Sequence, residues 1–153
     1  MNYVVYDHRN GTKIIPEKQL NEVTTIITQY CPHIGLNCAR KLKTGLYELL
    51  SKKGWSGEYR LDTESMISIG SFLNGIGLNI QTGNAARIYA DMLKMQALFV
   101  KGKINCGIII TPTLKTANAM GKCMANYERL IRELPIFSQV ITMPIVVIGF
   151  KGE

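Results

Sequence analysis

The residues with the most chemical potential sit on two short apolar runs joined by Asn74-Gly75. The runs read Met66-Ile-Ser-Ile-Gly-Ser-Phe-Leu73 and Ile76-Gly-Leu-Asn-Ile-Gln81. Asn-Gly between alternating runs signals a two-residue hairpin, because both turn residues must take a positive φ that Asn tolerates and Gly adopts freely. With those two at the turn, Leu73 pairs with Ile76, Phe72 with Gly77, Gly70 with Asn79 and Ser68 with Gln81. Side chains alternate between faces. Ile67, Ile69, Leu73, Ile76, Leu78 and Ile80 then share one buried face. Ser68, Gly70, Phe72, Gly77, Asn79 and Gln81 share the other. Three polar side chains gathered on one face of a small hairpin suit the floor of a site; a plain solvent-exposed hairpin face carries the same pattern.

Little else in the chain offers metal or nucleophile chemistry. The four cysteines, Cys31, Cys38, Cys106 and Cys123, form no C-x-x-C pair. His33 between the first two does not complete a zinc knuckle, so all four read as ordinary thiols. Charge is more informative. Eighteen Lys and Arg against 11 Asp and Glu give +7. That balance points to a phosphate-bearing partner, nucleic acid above all, unless it serves solubility alone. No apolar run approaches the roughly 20 residues that span a bilayer, and no basic block flanks an amphipathic anchor. The first residues resemble no secretory leader, so the expectation is a cytoplasmic protein with reduced thiols and no membrane partner.

These residues need elements to position them. Residues 1–153 read as one domain, 46% hydrophobic, with a sizeable core. Met1 to Tyr6 reads as an edge strand and His8 to Gly11 as a turn. Helices are predicted over about 16–30 and 37–52. The second carries a Leu42, Leu46, Leu49, Leu50 stripe and a basic first half, Arg40, Lys41 and Lys43. Trp55 reads as a core anchor opening a strand through Tyr59 and Leu61. A central helix spans about 85–99, with Ile88, Tyr89, Met92, Met95 and Phe99 on the core side. On another face, Arg87–Asp91 and Asp91–Lys94 have helix-stabilising spacing. Cys106 to Ile110 reads as a fully buried strand. Residues 114–121 are a loop or short helix, 123–134 a helix with Arg129 and Arg132, and 144–150 a last buried strand. Alternating helices and strands imply an α/β fold: one mixed sheet with helices on both sides.

The order of these pieces carries a resemblance. The hairpin, then Gln81-x-Gly83-Asn84, then Tyr89-x-Asp91-Met-Leu-Lys-Met-Gln96, then Gly107-Ile-Ile-Ile-x-Pro112 resembles the BglII/BstYI group of type II restriction endonucleases. Leu134-Pro-Ile-Phe137, Met143-Pro-Ile-Val-Val-Ile-Gly149 and Gly54-Trp55 are similar too, so the resemblance covers about 46–150. It implies a restriction-endonuclease-like core of PD-(D/E)xK type, a homodimer on double-stranded DNA, and Mg²⁺-dependent cutting. The family's metal motif is an Asp on the first hairpin strand and Glu-x-Gln on the second. Converging carboxylates hold a hard cation that activates water and stabilises charge on the scissile phosphate. Gln81 matches the motif's last member. The Glu position is Asn79 and the Asp position is Gly70. Asp62 and Glu64 precede the first hairpin strand and Glu48 lies on the preceding helix; of these acids the resemblance favours Glu48, since helix acids can contribute to metal sites in this fold.

A neutral amide and a bare backbone position hold Mg²⁺ poorly, so the expectation is a DNA-binding protein of restriction-endonuclease fold, catalytically inactive and without a cofactor. Arg40, Lys41, Lys43, Lys115, Lys122 and Arg129 are its candidate phosphate contacts, and Asn118 or Lys115 its candidate base readers. Two alternatives remain. One is an active nuclease that uses Mg²⁺ through Gln81 and Glu48. The other is an interaction or inhibitory partner of a related nuclease that no longer touches DNA.

Overall fold

The computed structural model describes residues 1–152. Its centre is a five-stranded mixed sheet. Taken with the short strands beside it, the chain forms β1 (Asn2–His8), β2 (Tyr59–Arg60), β3 (Ser68–Ile69), β4 (Ser71–Leu73), β5 (Ile76–Ile80), β6 (Cys106–Pro112) and β7 (Ile145–Lys151). The large sheet has the order β1-β7-β6-β5-β4, and β2 pairs with β3 apart from it. The inner three strands run parallel, and each edge strand is antiparallel to its neighbour. Parallel strands covered on both faces need apolar side chains throughout. Accordingly β5 and β6 are buried at every position, while edge strand β1 is mostly exposed or half-buried.

A one-turn helix α1 (Gly11–Ile14) follows β1, and α2 (Glu17–Gln29) and α3 (Ala39–Ser51) cover one face of the sheet. Leu42, Leu46 and Leu50 recur every fourth residue on α3 and are buried in one cluster with Val23, Ile27, Trp55, Leu78, Ile108 and Ile148. The opposite face is covered by α4 (Ala86–Val100), α6 (Tyr127–Glu133) and the 3-10 turn Leu134–Phe137. Ile88, Met92, Met95 and Leu98 of α4 meet Ile109, Ile145 and Val147 there. The fold is the expected α/β one, a mixed sheet with helices on both sides. A short α5 (Leu114–Met120) leaves the end of β6. No helix among the described residues is long and apolar enough to cross a membrane.

The hairpin follows the predicted register near its turn: Leu73 opposes Ile76, Phe72 opposes Gly77 and Ser71 opposes Leu78. Asn74 and Gly75 have φ of 48° and 81°, as a two-residue turn of this type requires. Three expectations need correction. The first hairpin strand does not continue through Gly70. Its amide donates to the Asn79 side chain instead of a ladder carbonyl, the strand breaks, and Ser68 pairs with Arg60 rather than Gln81. The break turns Ile69 into the α4-side cluster and leaves Ile67 exposed. Trp55 is buried, as an anchor should be, but the strand after it is only Tyr59–Arg60. The helix predicted from Cys123 starts at Tyr127, because residues 123–125 run beside 83–85: Ala85 N–H donates to the Cys123 carbonyl and Ala125 N–H to that of Gly83.

Candidate functional site

The polar face of the hairpin is not open. Helix α4 lies over it, and Asn79 and Gln81 are each only 5% exposed. Buried amides need partners, and the structure supplies them locally. Asn79 Oδ1 accepts from Gly70 N–H at 2.7 Å, and its amide nitrogen lies 3.4 Å from Met95 Sδ. Gln81 Nε2 donates to Asp91 Oδ2 at 2.5 Å, while its Oε1 accepts from Gly83 N–H at 2.9 Å. Gly70 and Asn79 therefore do face one another, through a side-chain-to-backbone bond.

Tyr47 closes the group from α3. Its phenol oxygen accepts from Ile80 N–H at 3.0 Å. A Cβ built on Gly70 would lie 1.8 Å from that oxygen, so the space a side chain at position 70 would enter belongs to Tyr47. Burial pushes the Tyr47 phenol well above its ordinary pKa, and it stays protonated. Asp91 is raised by burial too, opposed by the hydrogen bond from Gln81 and by the charges of Lys94 and Lys43. Lys94 Nζ lies 3.7 Å from its other oxygen. The pairing of Asp91 with Lys94 follows the helix spacing; Asp91's other partner is Gln81, on a different element, rather than Arg87.

The residues named from the sequence separate into groups. Gly70, Asn79 and Gln81 lie together. Glu48 does not join them: it is exposed on α3 and lines a concavity with Tyr30, Arg40, Lys41 and Lys52. Successive helix residues are about 100° apart, so the neighbour that reaches the hairpin is Tyr47. Lys43 stands one turn before it, its ammonium 5.8 Å from the Tyr47 ring centre. Lys115, Asn118 and Lys122 are exposed in the segment after β6. Asn118 and Arg129 share a shallow concavity with Asn84, Tyr89 and Asn126. Arg129 also pairs with Glu133 at 2.9 Å, which offsets part of its charge. The Thr82 hydroxyl donates to the Ala39 carbonyl at 3.2 Å and so ties the basic start of α3 to the segment leaving β5. Sequence reasoning missed Tyr47 and the Gln81–Asp91 bond. The tyrosine beside a leucine stripe was a visible but non-specific signal.

The donor set does not suit a divalent cation. Asn79 and Gln81 are engaged in bonds within the fold, the place for a side chain at position 70 is filled, and two lysines act on Asp91. Among the described residues no three His, Cys, Asp or Glu side chains are grouped to hold a metal.

The family model for restriction endonuclease BglII/BglIII matches residues 3–150. The chain belongs to that family. Solved structures share the fold, two of BglII among them. The crystal structure of BglII complexed with a DNA 16-mer has a TM-score of 0.88 at 14% identity, covering 100% of this chain and 79% of that one. Free BglII has a TM-score of 0.81 at 15% identity, covering 100% of this chain and 81% of that one. No curated protein matches by sequence.

Proposed function

We propose that this member of the BglII family binds double-stranded DNA as a homodimer and has lost metal-dependent cutting. The observation that carries the loss is Tyr47: its oxygen fills the space beside Gly70 where the resemblance puts an acid, while the Asn79 oxygen is engaged by the Gly70 amide. DNA binding is supported by family membership, by the +7 net charge and by the exposed cations on α3 and after β6. Lys and Arg contacts to phosphates release counterions, so the affinity must fall steeply with salt.

A gel shift on duplex DNA in EDTA, paired with plasmid nicking in Mg²⁺ or Mn²⁺, tests both halves. The expected result is a salt-sensitive shift without nicking. The contact between Gln81 and Asp91 favours a second reading, an active enzyme whose acid comes from α4. Nicking that Gln81→Ala and Asp91→Asn abolish, and Glu48→Ala does not, would establish it. No shift even at low ionic strength would instead leave an interaction module.

A further inference from the structure

We propose that the groove on the outer flank of α3 binds a free nucleotide, with its base against Tyr30 and its phosphate on Arg40 and Lys41. None of these residues belongs to the hairpin network. On α3, Lys41, Gly45, Glu48 and Lys52 recur every third or fourth residue, while Leu42, Leu46 and Leu50 face the core. Two concavities meet along that stripe. One, of about 410 Å³, is lined by Tyr30, Pro32, Leu36 and Leu42 together with His33 and Asn37. The other, of about 530 Å³, is lined by Arg40, Lys41, Thr44, Glu48 and Lys52. Tyr30 and Lys41 line both, so the two form one groove with an apolar half and a cationic half. Tyr30 is a fixed wall between them. Its N–H donates to the Ile26 carbonyl at 2.9 Å and closes α2. Its phenol lies against α3 at Gly45, where a Cβ would collide with the phenol oxygen. Arg40 and Lys41 are exposed, and neither has a carboxylate within 4 Å among the described residues. Glu48 is the one acid lining the groove, and Lys52 stands one turn beyond it. Leu36, 76% exposed, offers apolar surface that a base would cover. An aromatic wall suits the face of any base, and the Asn37 amide and His33 ring can bond its edge. Arg and Lys make charge-assisted bonds to phosphate oxygens. A base inside a duplex is stacked and paired, so it has no free face to offer; the groove calls for a nucleotide outside the duplex. Arg40 and Lys41 are also proposed duplex contacts, and a bound nucleotide would withdraw them from that role.

The test is isothermal titration calorimetry in EDTA at low salt, with no duplex present. The probes are AMP, GMP, CMP and UMP, with ribose phosphate, inorganic phosphate and a single-stranded oligonucleotide as controls. At least one nucleotide should bind about 10-fold or more tightly than ribose phosphate, the size expected for one base stacked on an aromatic ring. Lys41→Met should weaken that binding about 10-fold, as loss of a hydrogen bond between charged groups does. Tyr30→Leu should also weaken it about 10-fold, whereas Tyr30→Phe keeps the ring and should bind like the parent. Circular dichroism separates lost binding from lost folding, and Lys41→Met, on an exposed side chain, keeps the test alive if Tyr30→Leu unfolds. Absence of binding by every nucleotide overturns the proposal. So does ribose phosphate or inorganic phosphate binding as tightly as the nucleotides, or nucleotide binding unaltered in both Lys41→Met and Tyr30→Leu. Tighter binding of the oligonucleotide than of any mononucleotide would assign the groove to a strand and overturn the free ligand. Because the titration contains no duplex, its failure leaves the DNA-binding reading standing.

Discussion

By spacing alone, Asp91 belongs to a surface ion-pair ladder on α4. In the structure its side chain is 14% exposed, and burial raises its pKa despite Gln81, Lys94 and Lys43. Between the ordinary aspartate pKa and that raised value, the folded state binds more protons than the unfolded one. Stability therefore falls as pH rises through this window. Asp91→Asn keeps an oxygen for the Gln81 amide and removes the buried charge. The variant should match the parent in acid and melt higher at neutral pH, with a flatter dependence of Tm on pH. Calorimetry across that range checks it; a lower Tm at neutral pH would mean that the Lys94 and Lys43 attractions outweigh burial. The role of Asp91 could not be read from the sequence, because the partner that matters, Gln81, approaches from another element and only through tertiary packing.

At the scale of elements, the hairpin was legible where local rules decide and illegible where a second element intrudes. Asn74-Gly75 set the register at Leu73 and Ile76. Alternation then failed at Gly70, since a side chain, Asn79, captures the backbone amide that the ladder needed. The covering of the polar face by α4 and the wedge from α3 depend on tertiary packing, which alternation alone does not encode. The wedge makes a prediction. Gly70→Ala drives a methyl against the Tyr47 oxygen and should cost about 1–3 kcal/mol, as overpacking does. Tyr47→Ala removes the obstacle. In a double-mutant cycle by urea denaturation, Gly70→Ala should cost far less in the Tyr47→Ala background, a coupling that independent sites do not show. Additive costs would mean that the glycine serves backbone conformation alone.

For the whole molecule, the two helical layers followed from the alternation of buried strands and amphipathic helices, but the surfaces left uncovered did not. Leu93 on α4 is 56% exposed, Ile136 74%, and Val140 57%. Phe137 packs edge-on against Tyr89 at 5.7 Å between ring centres, which joins the 3-10 turn to α4. Leu93 lies one helical turn beyond Tyr89, and Ile136 and Val140 bracket Phe137 in the chain. Exposed apolar side chains on one flank suit an interface between protein chains. The homodimer we propose would use this flank, with a two-fold axis presenting two copies of the basic surface to a duplex. Sedimentation equilibrium should then find a dimer. Ile136→Asp and Val140→Asp, both at exposed positions, should shift it to monomer without changing the circular dichroism spectrum, because a charge desolvated at an interface is costly while the same charge in water is not. The monomeric variants should also bind duplex DNA with a smaller salt slope, since each retains only its own phosphate contacts. A dimer that survives both substitutions would place the interface elsewhere on the chain, and a parent that sediments as a monomer would remove the two-fold axis from the proposed complex.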